Sequence, residues 1–85
     1  MDGSSNLDLY LSKGYKYEFF VDTVGFPIAI KTARTLGNVN LWNDGVRNNV
    51  IDYGTLEFVV PPSAPSQLFY VCINDPDMSG NIFIT

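Results

Sequence analysis

Histidine is absent from this 85-residue chain, and cysteine occurs once, as Cys72. A single cysteine excludes an intramolecular disulfide, which favours a reducing compartment or a particle assembled inside a cell. Without histidine, a serine or cysteine nucleophile lacks its usual general base. The chain also has no glycine-rich loop of the kind that binds phosphate. We therefore predict that the protein is not an enzyme.

Charged residues and long apolar runs are also scarce. Charged residues make up 16% of the chain, against about 25% in an ordinary soluble domain. The net charge of −4 would repel nucleic-acid phosphates, so we expect no nucleic-acid partner. The chain contains neither a run of about 18 apolar residues nor a signal-peptide pattern. We therefore expect no membrane partner.

Alternation of apolar and polar residues, the period of a half-buried strand, recurs along the chain. It is found in NLDLYL, YKYEFFVD, PIAIKTA, GTLEFVV, SQLFYVC and NIFIT. No segment of ten or more residues has a helical period. About seven short strands separated by turns predict an all-β fold, either an antiparallel β-sandwich or a small barrel. We predict one domain over residues 6–85, preceded by a flexible arm of small polar residues at 1–5.

The same alternation assigns side chains to an inward and an outward side of each strand. The predicted inward set is Leu7, Leu9, Leu11, Tyr15, Tyr17, Phe19, Val21, Ile28, Ile30, Leu56, Phe58, Val60, Leu68, Tyr70 and Cys72. Six large apolar residues fall on the opposite sides: Tyr10, Phe20, Val59, Phe69, Val71 and Phe83. Either the long segment from Thr35 to Asp52 covers some of these six, or they form a contact surface for another chain.

Several local segments together resemble one family. GFPIAIKTA, NDGVRNN and GTLEFVVPPSAP, with FYVC followed by MSG, resemble the cupredoxin-like domains, especially the compact version found in structural proteins of marine bacterial viruses. The resemblance implies a cupredoxin-like Greek-key β-sandwich of about seven short strands. It also implies a non-catalytic virion structural protein, chiefly a capsid decoration or cement protein. The expected partners are capsid or other virion proteins, with a homo-oligomer as an option, and the expected location is the virion, assembled in the host cytoplasm.

The resemblance also identifies a copper site whose ligands have changed. Copper-binding members carry Gly-His-Pro in the first segment, and Cys, His three residues later, and Met in the second. Here Phe26 and Asp75 stand at the two histidine positions, whereas Cys72 and Met78 are kept. Copper requires two imidazoles and a thiolate, with a distant thioether. We therefore expect no metal and no other cofactor. We expect Cys72 to be buried as a small apolar residue, Phe26 to fill the space where the metal would lie, and Met78 to fill the former site beside Phe26.

Three other interpretations remain open. Cys72 and Met78 are soft ligands that suit copper(I), which would make the protein a redox cupredoxin. Asn74, Asp75 and Asp77 could ligate calcium, although their spacing does not match a twelve-residue calcium loop. A host-surface carbohydrate-binding module would use exposed aromatic rings, for which Trp42 and Tyr53 are the candidates, although a lone Trp in such a loop is more often a lid on the core.

Overall fold

The computed structural model describes residues 8–85. Within this range every regular element is a strand, which confirms the prediction of an all-β chain with about seven short strands. The seven strands are β1 (Leu9–Leu11), β2 (Lys16–Asp22), β3 (Ile28–Lys31), β4 (Val46–Arg47), β5 (Tyr53–Val59), β6 (Gln67–Cys72) and β7 (Asp75–Ile84). No helix among the described residues is long and apolar enough to cross a membrane. The arm predicted at residues 1–5 and the inward position predicted for Leu7 lie outside the described residues.

The strands form two sheets. One has the order β1-β7-β6-β3 and the other β2-β5-β4. Neighbouring strands are antiparallel except β1 and β7, which run parallel with Leu9 opposite Ile82. The first and last strands of the described chain therefore pair with each other, and the four-stranded sheet is complete only when β7 is in place.

One hydrophobic core lies between the two sheets, because one face of each sheet contributes to it. The buried residues are Leu11, Val21, Ile28, Ile30, Leu56, Phe58, Val60, Ala64, Leu68, Tyr70, Cys72, Ile82 and Ile84, with Leu9, Tyr17 and Phe19 packed against them. The predicted inward set is confirmed at these positions. Tyr15 is an exception, since it is 65% exposed. It lies in the turn before β2, where its N–H donates to the carbonyl of Ser12, and is therefore not part of the strand pattern.

The free edge of β3 is covered by short backbone bridges, from Ile28 to Ile51 and from Lys31 to Leu41, and between them by the side chain of Asn49. Asn49 Oδ1 accepts the N–H of Ile30 at 2.8 Å, and Nδ2 donates to the carbonyls of Ile30 at 3.3 Å and Trp42 at 3.0 Å. The N–H of Trp42 also donates to Ile30 at 2.9 Å. One asparagine thus satisfies backbone groups that an edge strand would otherwise leave open.

A buried lysine holds a loop on the outer face of the four-stranded sheet. Lys31 is fully buried, and its Nζ donates to the carbonyls of Thr35, at 2.7 Å, and Gly37. Burial lowers the pKa of the Lys31 ammonium below its ordinary value. These bonds bring residues 32–40 over this part of the outer face.

Val71 lies on this covered part of the face. It is opposite Ala29 in the register, and both residues are fully buried. The prediction of Val71 as a contact residue is therefore wrong. Its burial agrees with the other outcome that the sequence left open, coverage by the long segment from Thr35, because Thr35 and Gly37 are bonded to Lys31 on the same face.

Candidate functional site

The four positions that resemble a copper site lie in two neighbouring segments at one end of the sheets. The turn between β6 and β7 consists of Ile73 and Asn74. The N–H of Ile73 donates to the carbonyl of Pro27 at 2.9 Å, and Asn74 Nδ2 donates to the carbonyl of Gly25 at 3.2 Å. The segment that carries Phe26 therefore lies against the hairpin that carries Cys72, Asp75 and Met78.

The acidic segment after Cys72 is a strand and not the loop that the sequence indicated. Strand β7 begins at Asp75, which lies opposite Cys72, whereas Val71 lies opposite Ser79. Residues 76–78 therefore form an irregular bulge in β7. A bulge accommodates Pro76, which has no N–H to donate to a ladder.

The copper-like positions differ in burial. Cys72 is fully buried in the core, as the alternation along β6 predicts, and Met78 is partly buried against the core. Phe26 is 47% exposed, so the prediction that it fills the former metal site is wrong. Phe26 belongs to a turn outside the sheets, in which its N–H donates to the carbonyl of Thr23 at 2.7 Å.

These residues do not fit a copper centre. The chain has no imidazole, and the Cys72 thiol lies among apolar side chains of the core. Among residues 8–85 there is no group of three or more His, Cys, Asp or Glu residues that could hold a metal ion. Asp75 Oδ1 accepts the N–H of Asp77 at 3.2 Å, which is the turn chemistry of an aspartate two residues upstream.

The remaining outward apolar residues do not share one surface. Tyr10, Phe69 and Phe83 belong to the four-stranded sheet, whereas Phe20 and Val59 belong to the three-stranded sheet. Because both sheets turn their inner faces to the same core, their outer faces look in opposite directions. The structure thus contains two separate candidate faces.

The outer face of the four-stranded sheet is occupied by its own contacts. The rings of Tyr10 and Phe83 stack with centroids 5.4 Å apart, and the Arg34 guanidinium lies 5.2 Å from the centre of the Phe69 ring. Asn81 Oδ1 accepts from Arg34 at 2.8 Å, and its Nδ2 donates to Asp8 at 2.9 Å. On this face Phe69 and Phe83 are partly buried within a polar network, whereas Tyr10 remains largely exposed.

The outer face of the three-stranded sheet changes character along its length. At one end Lys16 forms ion pairs with Glu18 at 3.3 Å and Glu57 at 3.6 Å, and the hydrogen bond to Glu18 is the main cause that raises the pKa of Lys16. At the other end the rings of Phe20 and Tyr53 meet edge to face at 5.4 Å. The apolar end of this face adjoins the segment that carries Phe26.

Five exposed apolar side chains lie on the segments that meet at this end, and we call them the Phe26-end cluster. Their exposed fractions are 54% for Phe20, 70% for Val24, 47% for Phe26, 62% for Leu36 and 61% for Tyr53. An apolar group of this kind is typical of a contact site for another molecule.

Backbone bonds fix the segments that carry the cluster. The N–H of Thr23 donates to the carbonyl of Asp52 at 2.8 Å, and the N–H of Gly37 donates to Ile73 at 2.8 Å. Gly25 N–H also donates to the Asp52 carboxylate at 3.1 Å. The turn 23–27 is thereby attached to Asp52, and the loop 35–40 to the β6–β7 turn.

Sequence reasoning identified Phe20 for this surface and raised Tyr53 only as a sugar contact. It missed Val24 and Leu36, because alternation assigns faces only within strands and these residues lie in turns. The available signal was the presence of large apolar residues beside turn-forming Gly25 and Gly37, whose φ angles are 86° and 76°.

The two aromatic candidates for sugar binding, Trp42 and Tyr53, differ in their exposure to solvent. Trp42 packs against the core, and its Nε1 donates to the carbonyl of Asp44 at 3.0 Å, so it serves as a lid on the core. Tyr53 is exposed beside Phe20.

Comparisons with known protein families, with curated proteins and with solved structures found no match to this chain.

Proposed function

We propose that this chain is a non-catalytic virion structural protein, a small capsid decoration or cement subunit built on a metal-free, cupredoxin-like Greek-key sandwich. The main support for the proposal is the exposure of the apolar side chains of the Phe26-end cluster. Each of its side chains that becomes buried against a partner contributes about 1.5–3 kcal/mol before the costs of association. The virion as location comes from the sequence resemblance.

The contacts around the hairpin support the cupredoxin-like part of the proposal. In that family the segment with the first copper ligand adjoins the loop with the others. Here the Pro27–Ile73 and Gly25–Asn74 hydrogen bonds place the corresponding segments side by side. The scaffold is thus compatible with the resemblance, although Phe26 and Asp75 have replaced the imidazoles.

The test is detection and rebinding on virus particles. Mass spectrometry of particles purified from the source of this sequence should detect the chain in stoichiometric amounts. Rebinding of added protein to particles stripped of it should be lost in the double variant Phe26→Ser/Tyr53→Ser. It should persist in Tyr10→Ser, which removes a ring that is 74% exposed on the opposite face. Particles that lack the chain would rule out the virion function.

A copper titration tests the metal-free scaffold. Adding copper(II) to the reduced protein should give no intense visible thiolate band, because Cys72 is fully buried and has no imidazole beside it. A stoichiometric band that disappears in Cys72→Ser would support the redox cupredoxin instead.

Carbohydrate binding is a second candidate function, favoured by the exposed Tyr53 ring next to Phe20. A glycan array should then show binding that Tyr53→Ala removes and Trp42→Phe leaves unchanged. An array without any signal would eliminate this candidate.

A further inference from the structure

We propose that the Phe26-end cluster binds a protein surface in which apolar side chains are flanked by lysine or arginine. This inference rests on the docking part of the proposed function and specifies the chemistry of the partner.

Carboxylates border the cluster. Asp22 lies directly opposite Tyr53 in the β2–β5 register, and the carboxylate of Asp52 accepts the N–H of Gly25 in the turn between Val24 and Phe26. Asp75 begins β7 just after the turn that contacts Pro27. Among the described residues, none of Asp22, Asp52 and Asp75 forms an ion pair.

The cations of the chain lie away from Phe20 and Tyr53. Lys16 pairs with glutamates at the far end of β2, Lys31 is buried, and Arg34 covers Phe69. Lys13 lies in the turn that bonds to Thr85, and Arg47 is opposite Glu57. None of the five lysines and arginines of the chain belongs to the turn 23–27 or to residues 52–53, and the Lys31 ammonium next to Leu36 is already bonded to the carbonyls of Thr35 and Gly37.

The carboxylates around the Phe26-end cluster favour a cationic partner protein over a second copy of the chain. Two copies of the chain that met through this end would bring like charges together, which is unfavourable. A cationic partner gains attraction during approach and specificity in the complex, and its affinity decreases with salt. The partner surface that complements the Phe26-end cluster is therefore an apolar patch bordered by lysine or arginine.

The experiment uses synthetic twelve-residue peptides with identical apolar residues and with lysine, serine or glutamate at every other position. Fluorescence polarisation with the whole protein should show binding of the lysine peptide and none of the glutamate peptide. The double variant Asp22→Asn/Asp52→Asn should weaken binding by about tenfold, through the loss of two attractive charges. Tyr53→Ser should weaken it at least as much.

A matched control separates the site from the net charge. Glu18→Gln/Asp44→Asn removes two charges away from the cluster and should leave the affinity unchanged. An equal loss in this control would overturn the inference, as would equal binding of all peptides or no binding of any. Dimers seen by sedimentation that Tyr53→Ser dissociates would instead identify a second copy as the occupant.

The outcomes are independent of the virion proposal. Charge-selective peptide binding by a protein that is absent from virus particles would support this inference and refute the proposed function. Particle binding that Asp22→Asn/Asp52→Asn leaves intact would support the proposed function and contradict this inference.

Discussion

The Tyr70 ring lies across Gly80 on the neighbouring strand, and this contact leaves no room for a side chain. A Cβ at position 80 would overlap the Tyr70 hydroxyl and ring carbons, and both residues are buried. Because the φ angle of Gly80 is not in the left-handed region, the constraint is one of space alone.

Gly80→Ala should therefore lower the free energy of unfolding by about 1–3 kcal/mol, the usual cost of overpacking a core. Urea unfolding measures the loss. The same substitution in a Tyr70→Leu background should cost clearly less, since Leu has no ring atoms at that position. Equal losses in the two backgrounds would show that the ring contact is not the cause.

Lys31 gives the stability of the protein a specific pH dependence. Burial lowers the pKa of Lys31 below the ordinary value of 10.5. Between the lowered pKa and 10.5 the unfolded chain binds more protons than the folded chain, so the contribution of Lys31 to stability rises with pH in that range. Below the lowered pKa Lys31 is charged in both the folded and the unfolded chain, and the full cost of burying the charged ammonium lowers the free energy of unfolding.

The free energy of unfolding of the native protein minus that of Lys31→Met should therefore increase as the pH rises towards 10.5. The difference cancels the titration of Tyr70 and Lys16, whose pKa values are raised. Urea unfolding from pH 7 to 10.5 provides the curve. Parallel curves for native protein and Lys31→Met would contradict the prediction.

For single residues, the sequence predicts burial where the residue lies in a strand and its burial follows from the alternation of apolar and polar side chains. The burial of Val21, Phe58 and Cys72 followed from alternation. The burial of Val71 and the exposure of Phe26 did not, because each depends on a loop whose path the sequence pattern does not specify.

Among the elements, β3 depends most on a single side chain from outside the sheet. Asn49 bonds to both backbone groups of Ile30 and to the carbonyl of Trp42. Asn49→Ala should lower the free energy of unfolding by about 2–4 kcal/mol, because it leaves partly buried backbone groups without partners. Asn38→Ala, at an exposed turn position, should change it by less than about 0.5 kcal/mol. Equal effects of the two substitutions in urea unfolding would refute this role.

The hairpin of β6 and β7 shows where turn signals mislead. Asn74, Pro76 and Gly80 lie close together in the sequence and indicate a loop, yet β7 runs through the last two. Proline is accommodated by the bulge, and glycine by the Tyr70 ring. The bulge and the ring contact both depend on the neighbouring strand, so the local sequence alone does not predict them.

For the whole molecule, the parallel pair of β1 and β7 makes folding depend on the end of the chain. Leu11 lies opposite Ile84, so the sheet that carries most of the buried core residues closes through residues far apart in sequence. Such non-local pairing slows folding and couples the parts of a small domain into one transition.

Unfolding in urea should therefore be a single transition. Trp42 fluorescence reports the region around β3, because Trp42 bonds to Ile30, and far-ultraviolet circular dichroism reports all strands. The two midpoints should coincide, and removal of residues 81–85 should abolish folding. Separate midpoints, or a folded truncated chain, would contradict this coupling.

The direction of β7 also determines what the molecule can present to its surroundings. The strand leads from Asp75, at the Phe26 end, to Ile84, and the next residue, Thr85, bonds to Lys13 and Leu11 at the opposite end. A peptide fused after Thr85 would leave on the side away from the cluster. If the cluster attaches the protein to a surface, every bound copy would carry such a peptide outwards, so the fold could serve as a carrier for displayed epitopes.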